Sequence, residues 1–359
     1  MLRQCLHLAE DSNADYPPSL LPSLREVAFV CPLCHEKLTV PREREVYHCV
    51  NCTKDYLLHG GIPDFRVFPD PFLSFQEDHD RTEIVLAALE RYPLERLLEH
   101  YWSFSDITPV ALRPKFIRSA LLGEHRAGRS LRLLSDGTVE RPVTARRVLE
   151  IGSGTGNFLA VATPQYELVI GTDIAMRWLH VSRRRFMDKG LPVPPLVCCC
   201  AEYLPFPDNS VDLIVTASTL EFVRDKEKML AECARTLEAD GVLYVNTVNR
   251  YSVAKDPYAY LWGVGFLPRA WQARYVRWRR GAHYENIKPC SLSELNKVAK
   301  KFFAYRKYAL PEVDMEALSE FSPATRLQGR IYSSLRRAPV FKSLLQRIGP
   351  SWDALFRKS

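Results

Sequence analysis

The chain predicts an α/β fold, a parallel sheet with helices on both faces preceded by a small metal-stapled module, and three observations carry that prediction. Val148, Leu149 and Ile151 make a short branched apolar run that breaks at Gly152, Gly154 and Gly156 before a second apolar run, Phe158 to Ala162. Strand-like segments near 146–151, 167–172, 195–200, 211–217 and 241–247 alternate with helical ones, the pattern of parallel strands joined by crossover helices. Upstream, Cys31-x2-Cys34 and Cys49-x2-Cys52 form two knuckles separated by 14 residues.

With 359 residues, the chain has room for one large domain and something smaller, and 47% hydrophobic residues can fill a real core. Residues 1–26 contain Pro17, Pro18 and Pro22 without helical periodicity and read as a loose arm. Glu10, Asp11 and Asp15 stand where a signal peptide would need an apolar stretch, and no run of about 18 apolar residues exists. A soluble, cytoplasmic protein is the expectation.

Residues 27–69 form the cysteine module, with a strand expected over Glu45 to His48. The thiolates of Cys31, Cys34, Cys49 and Cys52 can meet around one tetrahedral Zn²⁺, and a reducing cytoplasm disfavours disulfides. So small a module cannot bury enough apolar area to fold alone, so the metal supplies the missing free energy. The large sheet has a core of its own and is expected to stand without the module. Four thiolates complete such a site, which leaves the adjoining His35 and His48 out of it. Cys198, Cys199 and Cys200 are consecutive on a strand, cannot form a compact cage, and read as small core residues.

Residues 70–145 read as a helical cap, with Ile84, Ala88 and Leu89 on one apolar face, Leu94, Leu97, Leu98, Tyr101 and Trp102 on the next, and boundaries at Pro93 and Pro109. Tyr101, Trp102 and Phe104 either line a cleft or pack in the core. Residues 146–359 hold the sheet. Ser293 is the expected cap of a helix from Glu294 to Lys301, followed by a strand near Tyr305 to Leu310.

The glycine loop has the spacing G-x-G-x-G followed by Asn157, whereas a dinucleotide loop needs G-x-G-x-x-G with pyrophosphate on the helix end. A nucleoside without pyrophosphate is favoured. Seventeen positions after Gly156, the next strand ends at Asp173, where a carboxylate can accept both ribose hydroxyls. Adenosine with a short tail fits this pair.

Arg147 to Asn157 resembles motif I of the class I S-adenosylmethionine-dependent methyltransferases. The likeness continues through Ala201 to Asp208, Ser210 to Val215, Leu220 to Val223 and Ala239 to Tyr244, covering roughly residues 146 to 250. It implies a Rossmann-like seven-stranded sheet closed by an antiparallel strand, for which Trp352 to Arg357 is the candidate. It further implies S-adenosylmethionine as cofactor, held by Glu150, Gly152, Ser153, Gly154, Gly156, Asp173, Ile174, Ala201 and Glu202. Cys200 departs from the pattern, since many relatives carry an Asp there for the adenine amino group. The phrase Leu57 to Phe65 resembles the zinc-ribbon modules related to the small activator of tRNA methyltransferases.

After the fourth strand there is neither an Asn-Pro-Pro-Tyr or Asp-Pro-Pro-Tyr phrase for an amino acceptor nor a Pro-Cys nucleophile for cytosine carbon-5. An oxygen acceptor benefits from a general base, and Glu221, His180 and His283 are the candidates. The insertion 249–290 is rich in aromatics that suit the apolar sides of sugars and lipids, so the acceptor is expected to be a small molecule or glycan, including a lipid-linked one. Two other readings stand beside it. One is an RNA methyltransferase, because residues 251–359 hold 20 Lys and Arg against 8 Asp and Glu and ribosomal-RNA guanine-N1 methyltransferases also join a zinc ribbon to this fold. The other is a non-catalytic binding protein that retains the fold, motivated by Cys200.

Within the insertion, Leu267 to Gly281 predicts a helix with Pro268 in its first turn and Gly281 at its stop. Trp271, Tyr275 and Trp278 then form one stripe bordered by Arg269, Arg274, Arg277, Arg279 and Arg280. Either this helix lies in an anionic membrane interface, apolar face down, or the stripe packs on the domain as a lid.

Overall fold

The computed structural model of the protein describes residues 22–40, 46–135, 143–313 and 323–358. Most of the expected arm and the Glu45 start of the first strand lie outside them. In the cysteine module, β1 (Val46–Cys49) and β2 (Lys54–His59) pair antiparallel, Val46 opposite Leu57, and β3 (Ile62–Pro63) adds a short third strand. The cap follows as α1 (Phe75–Leu89), α2 (Leu94–Phe104), α3 (Arg113–Leu121) and α4 (Gly123–Ser135). Ser74 and Glu77 close a capping box at the start of α1, each satisfying the other's backbone N–H.

The large sheet is built from β4 (Arg147–Ile151), β5 (Leu168–Asp173), β6 (Leu196–Cys198), β7 (Val211–Ala217), β8 (Leu237–Val248), β9 (Tyr305–Ala309) and β10 (Ser351–Arg357). Its order is β6-β5-β4-β7-β8-β10-β9, parallel from β6 through β8. β10 runs antiparallel to both neighbours, Ser351 opposite Val248 and Asp353 opposite Ala309. Helices α5 (Asn157–Ala162), α6 (Met176–Lys189) and α7 (Lys226–Thr236) are the crossovers, and α8 (Arg269–Arg280) and α9 (Leu292–Ala299) follow β8. The seven strands and the antiparallel closure agree with the expectation.

Three details differ from it. Helix α9 is capped by Ser291, whose hydroxyl accepts from Glu294 N while the Glu294 carboxylate accepts from Ser291 N. That reciprocal pair needs Glu at the third helical position, which Ser293 does not have. Pro268 is the residue before α8, extended at ψ 139°, because Arg269 opens the helix. Two further helices, α10 (Pro323–Arg337) and α11 (Pro339–Ile348), fill the connection between β9 and β10.

The cysteine module is not a separate body. Phe65 N donates to Cys198 O at 2.8 Å and Val30 N to Pro205 O at 3.0 Å, so the module lies along the outer edge of β6. Phe29 packs between Tyr47, Phe65 and Phe206, with ring centroids 5.4, 5.2 and 5.9 Å away. Leu24, Phe29, Tyr56 and Phe65 thus share one apolar core with Leu149, Val197 and Phe206 of the sheet domain. The expectation of a sheet core independent of the module is corrected: the three-residue β6 leaves an edge that the module covers.

Behind β5 sits a buried ionic network. Asp78 of α1, fully buried, accepts from Arg66 Nη1 at 2.6 Å, from Arg177 Nη1 and from Met176 N. Arg177 also donates to Asp70 at 3.0 Å and to the Tyr101 hydroxyl at 2.9 Å, and Arg66 to Asp64 and the Ile174 carbonyl. The link after the module, the cap and the start of α6 are thereby locked together just beyond Asp173.

Candidate active site

At the carboxyl ends of β4, β5 and β7 two cavities meet over the glycine loop. The smaller, about 270 Å³, is lined by Phe68, Asp70, Phe72, Asp173, Ile174, Ala201, Glu202, Thr219 and Phe222. The larger, about 560 Å³, is lined by Trp102, Arg126, Arg129, Glu150, Ser153, Asn157, Tyr244, Asn246 and Asp353. Gly152, Gly154, Ser218 and Trp178 belong to both. Ser218 holds a left-handed backbone, φ 55°, tied by its N–H to Asn246 O at 2.9 Å. Such strain in a non-glycine residue is stored where structure over-determines it, here at the junction of the cavities.

Local chemistry explains the loop. Gly154 has φ 50°, a side chain there would meet nothing within 4 Å, and its N–H donates to Asp173 Oδ2 at 2.8 Å. The backbone at that point therefore faces open space and positions the carboxylate. Gly156 serves a different end: a Cβ there would strike Ser182 Oγ at 2.1 Å, so this glycine lets α5 approach α6 and is absent from both cavity walls. Asp173 Oδ1 accepts from Ala175 N at 2.8 Å. Burial pushes its carboxyl up to about 6, against the pull of these two backbone N–H groups.

Around the loop, Glu150 Oε2, Ser153 Oγ and Asn157 Oδ1 are buried with no hydrogen-bond partner among the described residues. Burial, with the nearby Asp173, raises the Glu150 carboxyl well above its ordinary range. Orphaned buried polar atoms are costly and mark a place for a ligand's own donors and acceptors. An α-amino acid tail supplies both. The adenosine end has a carboxylate at Asp173 and aromatic walls at Phe68 and Phe222. The site thus fits S-adenosylmethionine in its donor set and its shape.

Of the expected cofactor residues, Gly152, Gly154, Asp173, Ile174, Ala201 and Glu202 line the smaller cavity, and Glu150 and Ser153 the larger. Glu202 also accepts from Arg224 N and Asp225 N, bracing the turn into α7. Cys200, the departure, lies between the Val67 N–H and the Phe68 carbonyl, 3.4 and 3.5 Å from its sulfur. It anchors the segment that puts Phe68 against the cleft.

The three expected general bases do not converge. Glu221 is fully buried, accepting from Thr247 Oγ1 at 3.0 Å and from the Tyr258 hydroxyl, and lines neither cavity. His180 is fully buried on α6, outside both cavities. His283 is exposed beside Glu285. The carboxylate that reaches the larger cavity from the last strand is Asp353, which accepts from Tyr244 and from Asn246, each at 2.7 Å. Trp102 lines that cavity, while Tyr101 packs in the core and bonds Arg177, and Phe104 meets Tyr101 edge to face. Phe68, Asp70 and Phe72 were invisible in sequence because nothing local marks a linker residue as a wall.

In the module, Cys31 Sγ lies 3.8 Å from Cys52 Sγ and Cys34 Sγ 3.6 Å from Cys49 Sγ, and all four sulfurs fall within 4.8 Å of one another. A tetrahedral ion with metal–sulfur bonds of about 2.3 Å separates its sulfurs by about 3.8 Å. Helix α8 packs through Gln272 and Val276, leaving Trp271 66% and Trp278 75% exposed. The tryptophans of the stripe therefore do not pack as a lid. No helix among the described residues is long and apolar enough to cross a membrane.

A methyltransferase-domain family model matches residues 149–245. The ubiquinone/menaquinone biosynthesis C-methyltransferase UbiE of Cupriavidus pinatubonensis is 39% identical over 103 residues, 28% of this chain and 42% of that protein. That of Burkholderia mallei is 38% identical over 127 residues, so the chain spans half or less of the length of these relatives. Among solved structures, phosphoethanolamine N-methyltransferase 2 of Haemonchus contortus, with S-adenosylhomocysteine, is 17% identical with a TM-score of 0.45, covering 80% of this chain and 60% of that one. A possible histamine N-methyltransferase of Thermotoga maritima is 22% identical with a TM-score of 0.42, covering 68% and 95%. Residues 149–245 are a methyltransferase domain, set in the sheet of the class I S-adenosylmethionine-dependent methyltransferases.

Proposed function

We propose that the protein transfers a methyl group from S-adenosylmethionine to an oxygen of a small-molecule or glycan acceptor seated in the larger cavity. The observation that supports this reading is the open backbone at Gly154, facing the half-buried Asp173 carboxylate on one side and a second, roomier cavity on the other. When bound, the cofactor supplies an electrophilic methyl whose thioether leaving group needs no protonation. The chain's own part is positioning, worth up to about 7 to 11 kcal/mol in favourable cases. Asp173 receives the ribose hydroxyls, and Glu150, Ser153 and Asn157 receive the amino acid tail. An acceptor hydroxyl loses its proton as the carbon–oxygen bond forms, and Asp353 is the carboxylate placed to take it. Four thiolates within 4.8 Å of one another support a structural Zn²⁺ in the module.

Calorimetry with S-adenosylmethionine tests the reading. Asp173→Ala is expected to weaken binding by about 1.5 to 3 kcal/mol, the usual value of hydrogen bonds to a charged group. The pH dependence has a definite sign. Ribose hydroxyls donate to the ionised carboxylate, whose pKa in the unliganded protein is about 6, so affinity is full above that pH and falls as pH drops through it. Asp173→Asn should flatten this step. No affinity at millimolar cofactor would leave the fold without the proposed activity.

The acceptor is further proposed to be amphiphilic, met at an anionic membrane surface. Trp271 and Trp278 project from α8, with Trp262 and Phe266 also more than half exposed beside them in the chain, and Arg274, Arg277, Arg279 and Arg280 border the stripe. Aromatic rings with flanking cations suit a lipid interface. In flotation with liposomes, binding should require anionic lipid, weaken with salt and vanish in Trp271→Ala/Trp278→Ala. Wild-type protein that stays unbound at low salt would rule this out.

A further inference from the structure

The larger cavity carries charge that methyl transfer itself does not use. Arg126, Arg129, Ser130 and Leu133 stand at i, i+3, i+4 and i+7 on α4 and form one wall. Elsewhere the chain matches its buried arginines with carboxylates: Arg66 with Asp64 and Asp78, Arg177 with Asp70 and Asp78, Arg185 with Glu124. Arg126, which is exposed, and Arg129, which is half-buried, form no ion pair with a carboxylate among the described residues. Arg126 donates to the Ser119 carbonyl and hydroxyl at 3.1 and 3.0 Å. Arg129 donates from Nη1 to the Glu312 carbonyl, and its Nε is buried without a partner.

The carboxylates that reach this cavity are otherwise engaged. Glu312 pairs with Arg336, Asp353 accepts from Tyr244 and Asn246, and burial drives Glu150 toward its neutral form. The Asp353 carboxylate lies near Arg129, yet the two neighbouring guanidiniums still repel one another, and a bound anion lessens that repulsion. Each guanidinium offers a planar fork of donors that matches phosphate oxygens.

We propose that Arg126 and Arg129 bind a phosphoryl group of the methyl acceptor, so that the substrate is a phosphate or pyrophosphate ester whose methylated end lies over Ser218 and the glycine loop. This rests on the reading that the larger cavity takes the acceptor. The phosphoryl group can belong to a soluble ester or to a lipid headgroup, and the chemistry at the two arginines is the same.

The test uses the full chain, inorganic pyrophosphate and S-adenosylmethionine in separate and combined titrations. Wild-type protein should bind pyrophosphate with and without the cofactor present. Arg126→Met and Arg129→Met should each weaken it about tenfold or more, as expected for a lost charge-assisted bond, and the surface control Arg96→Met, on α2, should not. Cofactor binding without pyrophosphate binding overturns the subsite alone, whereas failure to bind the cofactor overturns the reading beneath it. Competition between the two ligands also overturns the proposal, because the arginines would then serve the carboxylate of the cofactor. Vesicles of phosphatidylcholine with phosphatidic acid separate the sources. Retention that drops in Arg126→Met/Arg129→Met assigns a lipid-borne phosphoryl group, and equal retention alongside lost pyrophosphate binding assigns a soluble ester.

Discussion

Exchanging Cys34 for serine is expected to abolish zinc binding and to loosen the outer edge of the large sheet together with the module. Structural zinc contributes roughly 10 to 16 kcal/mol in zinc-finger peptides, which rivals the whole stability of a typical domain. Because Phe29 and Phe65 lie in the same core as Val197 and Phe206, losing the module's fold exposes apolar surface on the sheet as well. Phe68, at the end of the module, and Asp70, just after it, would leave the cofactor cavity. The expected result is one zinc per chain in the wild type and none in Cys34→Ser, with faster amide exchange over residues 196–198 and weakened S-adenosylmethionine binding. Wild-type protein without zinc on elemental analysis, or unchanged exchange at those residues in the variant, contradicts it.

Asp78→Ala is expected to destabilise the protein by about 3 to 5 kcal/mol, the range for removing one partner of a buried ion pair. The value should fall at the upper end, since a single fully buried carboxylate serves both Arg66 and Arg177. Chemical denaturation measures it, the midpoint shifting while the slope stays fixed. Replacing an exposed partner such as Glu99, which pairs with Arg96 on the surface of α2, should change stability by no more than about 1 kcal/mol. A loss of that size in Asp78→Ala would mean that the network is solvated and does not fasten the cap.

How much of this was legible in sequence depends on the range over which each feature is decided. The glycine loop and Asp173 belong to one strand–turn–helix–strand unit, so their spacing alone places them, and the structure joins them by a single hydrogen bond from Gly154 to Asp173. The four cysteines were equally readable, their knuckles being local. Arg126, Asp353 and Phe68 line the cavities only because distant segments fold together, and no periodicity reports that. Glu221, His180 and His283 were chosen for their chemistry, and chemistry does not reveal burial: Tyr258 and Thr247 close off the first, and α6 turns the second away from the cleft. The pair α10 and α11 was missed although its pattern is local: Leu327, Ile331 and Leu335 recur every four residues, and Val340, Phe341, Leu344, Leu345 and Ile348 follow Pro339 at helical spacing.

The hydrogen bond from Phe65 N to Cys198 O covers one open edge of the large sheet. An open strand edge is a template for pairing with another chain. At one end of the sheet β9 discourages that with Arg306 and Lys307. At the other, β6 has only three residues, Leu196, Val197 and Cys198, all fully buried and without charge. The cysteine module is the plug over that edge. A chain shortened to begin at the cap would present Leu196–Cys198 bare, and should go astray by aggregation before any loss of catalytic chemistry could be seen.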